Sequence, residues 1–417
     1  MKATKSLIRS GLITAVSLTA LASSGSGSLY WQQISIPGLP PGTALSQIWE
    51  RNPNELYVWG QPTNSTSATL YHWDGTNWTT ALSATGQAQL SVFGVGSAEV
   101  FAATTTNLWR SADKGKTWTL QTIPVPAGFA FWKISGTTSN VQVIANSTSA
   151  SQGYIYRFDG SSWASVFSNT GLPTAPYSLD VIAPNEGYFV TCWGWGSWNG
   201  SSWSTVSQGF DFCDISDTWA MRDAGGNLHW WAVGNNNFAN GIHIWCFNTA
   251  TMSFGCKSCY CYNDGNTAYT GSAYGIWGSA TNDVYVVGSL APVAYGQRAG
   301  RVYHFDGSSW SQVTSVGNIY PGDHGIWGTS SNDVWIAGND GMLLHSLQLA
   351  TVDIHMYAGL SISGSVGATY EVQYSTKVNT NNWQPLADIV LPTSPYLFFD
   401  TNSPSAPQRF YRAVLIP

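Results

Sequence analysis

The chain is short of charge. Only 9% of its 417 residues are Asp, Glu, Lys or Arg, and the 16 basic residues leave a net charge of −6. Beyond Lys2, Lys5 and Arg9 they form no run. Nucleic-acid binding relies on clustered Lys and Arg, so that class is excluded. Helix formers are sparse, and past the first 22 residues no apolar stretch is long enough to span a bilayer. No G-x-S-x-G, H-E-x-x-H, phosphate-binding loop or C-x-x-C-H occurs. No cofactor and no metal is therefore expected. What the chain has instead is 22 Trp, 20 Tyr, 16 Phe and 43 Gly. That mixture suits many short strands joined by tight turns.

The first residues read as a secretory signal. Lys2, Lys5 and Arg9 precede a short apolar core, Gly11 to Leu21, and Ala20-Leu21-Ala22 fits the small-x-small cleavage rule. We expect a signal peptide over 1–22 and a secreted protein in the extracellular space, at the cell surface or in the periplasm. Six cysteines suit such a compartment: Cys192, Cys213, Cys246, Cys256, Cys259 and Cys261. They allow fifteen pairings. Cys246–Cys256 across a hairpin and Cys192–Cys213 across neighbouring units are the preferred pairs. Cys246, Cys256, Cys259 and Cys261 also have the makings of a zinc site, but an oxidising compartment favours disulfides.

Self-similarity is the dominant signal. "GIWGSATNDVYVVGS" (Gly275–Ser289) returns as "GIWGTSSNDVWIAGN" (Gly325–Asn339). One unit reads apolar-Trp-Gly, a polar turn, an acid opening a second strand, a third strand, then Asp-Gly-Ser-Ser-Trp. Units begin at Ile48-Trp49, Val92-Phe93, Phe131-Trp132, Asp180-Val181, Ile276-Trp277 and Ile326-Trp327, with a degenerate start near Phe212-Cys213-Asp214. Four short strands per unit of about 45 residues is a propeller-blade pattern. Seven starts predict an all-β, seven-bladed β-propeller over 23–346. The last unit lacks its fourth strand, and Tyr30-Trp31-Gln32-Gln33-Ile34 has no unit of its own. The N-terminal strand is expected to close the ring, burying an open sheet edge.

Ser111-Ala112-Asp113-Lys114-Gly115-Lys116-Thr117-Trp118 matches every fixed position of Ser-x-Asp-x-Gly-x-Thr-Trp. It resembles the Asp-box, or BNR-like repeat, of bacterial sialidase-type propellers. The resemblance implies a turn between the third and fourth strands of a blade, with an architectural and not a catalytic Asp. From about Leu347 the repeats stop. Tyr370-Glu371-Val372-Gln373-Tyr374-Ser375 and Phe410-Tyr411-Arg412-Ala413-Val414 resemble small fibronectin-like domains of secreted bacterial proteins. They imply a small C-terminal β-sandwich over 347–417.

Most acids recur with the unit. Asp74, Asp113, Asp159 and Asp306 occupy the box turn, while Glu55, Glu99, Glu186, Asp283 and Asp333 open second strands. His72, His304 and His345 share one third-strand position. Repetition of this kind reads as architecture. Asp180, Asp211, Asp214, Asp264 and Asp323 stay unassigned. Asp217 falls with Asp211 and Asp214 in "DFCDISD", read as a solvated turn. Long loops on one face carry Trp193, Trp195, Tyr260, Tyr262, Tyr269, Tyr295 and Arg298, where exposed rings among amides suit sugar or protein binding. The expected function is a secreted, monomeric, non-catalytic propeller binding an extracellular glycan or protein. The alternative is a glycoside hydrolase or lyase on the same scaffold. A sialidase needs three convergent Arg, but Arg110, Arg157 and Arg301 sit on third strands, Arg409 and Arg412 lie outside the propeller, and the Arg-Ile-Pro signature is absent. A two-carboxylate glycosidase needs only a spaced pair.

Overall fold

The computed structural model describes residues 30–169, 174–207, 214–235, 242–255, 269–292, 299–316, 325–347, 358–377, 382–403 and 408–416. Among these, every regular element is a strand except one turn of 3-10 helix at Thr314–Val316. The chain divides into two compact units, Met1–Leu349 and Ala350–Pro417.

Among the described residues the first unit shows seven four-stranded antiparallel sheets. Their inner strands are Thr43–Asn52, Gln89–Val95, Phe129–Thr137, Ser178–Ala183, Asp214–Arg222, Tyr269–Ala280 and Gly325–Ser330. Each packs on the inner strand of the next sheet, and the last packs on the first, so the sheets close into a ring. The second strands show why. Along Glu55–Pro62, Leu56 and Val58 pack with Trp335 and Leu343 of the seventh sheet, while Tyr57 and Trp59 pack with Val92 and Val100 of the second. All four residues are fully buried. A strand alternates its side chains, so a strand apolar on both faces needs a neighbour on each side.

The seventh sheet is completed from the other end of the unit. Tyr30–Gln33 pairs antiparallel with Leu343–Leu347, in the register Tyr30↔Leu347 to Gln33↔Leu344. Trp31 is buried and anchors this strand among Tyr285, Ile336 and Leu344.

The recurring acids are architectural, as their repetition suggests. Asp113 accepts hydrogen bonds from the Thr117 N–H (2.8 Å), the Thr117 hydroxyl (2.7 Å) and the Ser111 hydroxyl (2.8 Å), and Gly115 turns the chain at φ 73°. These donors hold its carboxyl down at about 2. In the shorter turns Asp159 accepts from the Ser161 and Ser162 N–H groups at 2.8 and 2.7 Å, and Asp306 from those of Ser308 and Ser309, each at 2.8 Å. The shared histidines stack on the aromatic residue of the second strand: His72 on Tyr57 at 4.4 Å, His304 on Tyr285 at 4.3 Å and His345 on Trp335 at 3.8 Å.

The register corrects the phase of three units. In the sheets read most easily, the apolar residue before Trp pairs three residues past the acid: Ile48↔Val58, Ile276↔Val286 and Ile326↔Ile336. By that rule the third unit begins at Ile134-Ser135, because Ile134 pairs with Val143 after a bulge at Trp132 and Lys133. The fourth begins at Leu179-Asp180, since Leu179 pairs with Phe189. In the fifth, Trp219 pairs with Trp231 and takes the Trp position.

The second unit carries a two-stranded sheet, Ala358–Ile362 with Tyr396–Asp400, and a three-stranded sheet in the order Gln384–Val390, Thr369–Ser375, Phe410–Leu415. Ile362, Val372 and Leu391 form its small core. Asp400 gathers the Arg409 guanidinium (2.6 Å) and the Tyr411 hydroxyl (2.8 Å).

Candidate ligand site on the ring axis

The inner strands stack two layers of side chains around the axis. The Trp layer holds Trp49, Phe93, Ser135, Asp180, Trp219, Trp277 and Trp327, one from each sheet. It is aromatic except in the third and fourth sheets.

Four of the seven sheets carry Gly directly after this layer: Gly94, Gly136, Gly278 and Gly328. A methyl group on Gly94 would strike the Trp49 ring, and one on Gly328 would strike Trp277. Gly94, Gly278 and Gly328 each admit the indole of the preceding sheet, while Gly136 lies against Asn140 and Val141. In the first sheet the equivalent residue is Glu50, which leaves Trp327 no glycine to cover. Its indole donates instead to the Glu50 carbonyl at 3.0 Å and meets Phe93 and Trp219 edge-on, with ring centroids 5.7 and 5.6 Å apart. Trp327 thus bridges the second and fifth sheets across the ring.

A cavity of about 570 Å³ adjoins this bridge and is lined by every inner strand. It extends toward the strand starts, the side on which second strands run into third strands. Trp132, 44% exposed, belongs to its wall. The next layer of side chains holds Gln47, Ser91, Lys133, Ser178, Asp217, Gly275 and Gly325. Here Lys133 of the third sheet reaches past the fourth and donates to Asp217 of the fifth. Asp217 also accepts from the Ser178 hydroxyl (3.1 Å), the Thr218 N–H (2.9 Å) and the Ile276 N–H (3.4 Å). Burial works against the Lys133 charge, but Asp217 and Asp180 together outweigh it and raise the ammonium above its ordinary value.

Asp180 lies beside this pair. It is 7% exposed, and its Oδ2 has no hydrogen-bond partner. Burial is the main cause that raises its carboxyl to about 8, against the opposing pull of Lys133. At neutral pH the cavity therefore holds the Lys133 ammonium and a protonated Asp180 carboxyl.

The residues expected from the sequence fare differently. Trp193 is 43% exposed in the turn between Glu186–Thr191 and Gly194–Trp198. Trp195 is corrected: it is 3% exposed, packed edge-on against Phe247 at 5.0 Å and Trp230 at 6.2 Å. It lies on a strand, and its face of that strand meets the fifth sheet. Tyr269 opens a strand. Tyr260, Tyr262, Tyr295 and Arg298 lie outside the described residues, as do Cys213, Cys256, Cys259 and Cys261 and the acids Asp211, Asp264 and Asp323. Cys192 is buried, its Sγ 3.6 Å from the Tyr177 hydroxyl, and its expected partner Cys213 lies outside the described residues. Asp217 is corrected from a solvated turn to the cavity wall. Lys133 and Trp132 were missed, although both stand in a bulge that breaks the unit's spacing.

No family model matches the chain, and no curated protein does. Solved structures do. One titled "YCF48 bound to D1 peptide" superimposes with a TM-score of 0.52 at 15% identity, over 78% of this chain and 97% of that one. The extracellular domain of the putative hybrid two component system BT4673 from B. thetaiotaomicron gives 0.51 at 10% identity, over 82% of this chain and 43% of that one. A chain of the Mitotic Checkpoint Complex gives 0.54 at 9% identity, over 81% and 100%. At such identities the likeness concerns the fold, which is a β-propeller.

Proposed function

We propose that the chain is a secreted, non-catalytic propeller of seven blades that binds a glycan or protein ligand on the face where second strands run into third strands. One observation carries this reading: the axial cavity, bridged by Trp327 and extending toward that face with Trp132 in its wall. Support comes from two neighbours, one solved with a peptide bound and one an extracellular domain. The signal peptide over 1–22, the Asp-box identity of Ser111–Trp118 and a C-terminal sandwich belong to the same proposal. So does a Cys246–Cys256 bridge, since Cys246 pairs in register with Gly255.

The glycosidase alternative draws on Asp180 and Asp217, two carboxyls on one cavity. Asp217 already accepts from Lys133, Ser178 and two backbone N–H groups. That occupancy leaves it little capacity to attack a sugar or activate water. The test screens purified Ser23–Pro417 against glycan and peptide arrays and against glycoside substrates. Saturable binding without turnover is expected. Turnover lost in Asp180→Asn and Asp217→Asn would overturn the non-catalytic reading.

A further inference from the structure

Among the described residues the cavity wall holds two carboxyls, Asp180 and Asp217, and one cation, Lys133. Asp217 is fully engaged. Asp180 is more than nine-tenths buried with one oxygen unpartnered. A buried carboxyl oxygen without a partner costs free energy, and the nearby cation, Lys133, donates its hydrogen bond to Asp217 instead. Three aromatic rings, Trp132, Trp219 and Trp327, belong to the same lining. Aromatic faces beside a carboxylate are the surroundings that favour an organic cation.

We propose that the axial cavity binds an organic ammonium group, seated between these rings and Asp180, which supplies its counter-ion. A metal ion fits less well, because among the described residues no three His, Cys, Asp or Glu side chains gather around one point. An anionic ligand would have to displace Asp217 from Lys133 and would leave the buried Asp180 oxygen unmet.

The charge change has a consequence. Without ligand, Asp180 is held protonated by burial, with Lys133 and Asp217 the charged groups facing it. An arriving ammonium favours the carboxylate, so binding releases a proton from the Asp180 carboxyl to solvent. The released proton and the bound cation leave the net charge of the complex equal to that of the empty protein.

This inference rests on the reading of the axial cavity as the binding end of the ring. Its test is calorimetry on the mature protein with N-acetyl-lysine N-methylamide, 1-aminopentane and calcium chloride as probes. Saturable binding of the amines is expected, with close to one proton released at pH 7, read from the dependence of heat on buffer. Asp180→Asn should weaken amine binding about tenfold or more and abolish proton release. Because Lys133 bonds Asp217 and the Asp180 Oδ2 has no partner, that variant should keep or raise the melting temperature, which separates a site from a structural role. A lysine-bearing peptide that binds tighter than the free amine points to a partner's side chain as the source. Equal or weaker binding points to a small amine. The inference is overturned by absence of amine binding, by unchanged binding in Asp180→Asn, or by calcium binding that excludes the amines. An array ligand that lacks a cation and binds Asp180→Asn normally would also sink it, while leaving the ligand-binding propeller standing.

Discussion

Glu50 is the residue where one substitution in a repeat does most. Its neighbours in the ring show glycine at the same place, and the glutamate both displaces Trp327 and buries a carboxyl. Burial, followed by the nearby Asp333, raises that carboxyl to about 8 from 4.5. The native state therefore binds more protons than the unfolded chain between those values, and stability falls as pH rises through that window. Asp180 contributes in the same window, so Glu50→Gln should remove only the Glu50 share of this slope and raise the melting temperature at pH 8.5. An unchanged pH profile would show that Glu50 is not the group responsible. Other residue-scale roles were legible without a structure. Asp74, Asp113, Asp159 and Asp306 announced themselves by repetition. Asp180 did not, because the unit that contains it was read one residue out of phase. Trp195 was misjudged for a different reason. Its glycine neighbours suggest a loop, yet they allow close packing on a strand, where Gly196 lies against Phe189.

At the scale of the element, the strand Tyr30–Gln33 is four residues long and covers the edge of the seventh sheet. Trp31 carries most of its apolar burial, so Trp31→Ala should cost about 3–5 kcal/mol. Deleting Tyr30–Gln33 should leave an open edge at Leu343–Leu347. Hydrogen exchange should then quicken in that strand before any other of the ring, and uniform quickening would refute the local role. This latch was readable from the truncated last unit. The bulge at Trp132 and Lys133 was not. It inserts residues between Phe131 and Ile134, so a search for fixed spacing slides past it. That bulge sets Lys133 where it reaches Asp217, and much of the candidate site follows from it.

For the whole molecule, ring closure depends on close approach of the first and last inner strands. Gly325 makes that approach: a methyl group there would collide with the Ser46 carbonyl. Gly325→Ala should cost roughly 1–3 kcal/mol through a backbone shift. Denaturant unfolding reads that loss, and an unaltered midpoint would mean the contact has slack. The ring of four-stranded sheets and its closing strand were visible in the sequence, since a repeat that cannot bury its faces alone implies stacking. The axial chemistry was hidden, because it comes from sheets whose inner strands depart from the common pattern.

The closing strand also has a place in time. Tyr30–Gln33 is made before any other strand of the ring, while its partner, Leu343–Leu347, is made after all the others. At about 5–20 residues per second the first waits on the order of tens of seconds for the second. Neighbouring sheets can pair as they emerge, but the circle has no early version of itself. Its last contact is its longest-range one, and such contacts are slow to form. A nascent chain stalled short of Leu347 is an open arc whose outermost sheet lacks its fourth strand, exposed to any other strand that fits.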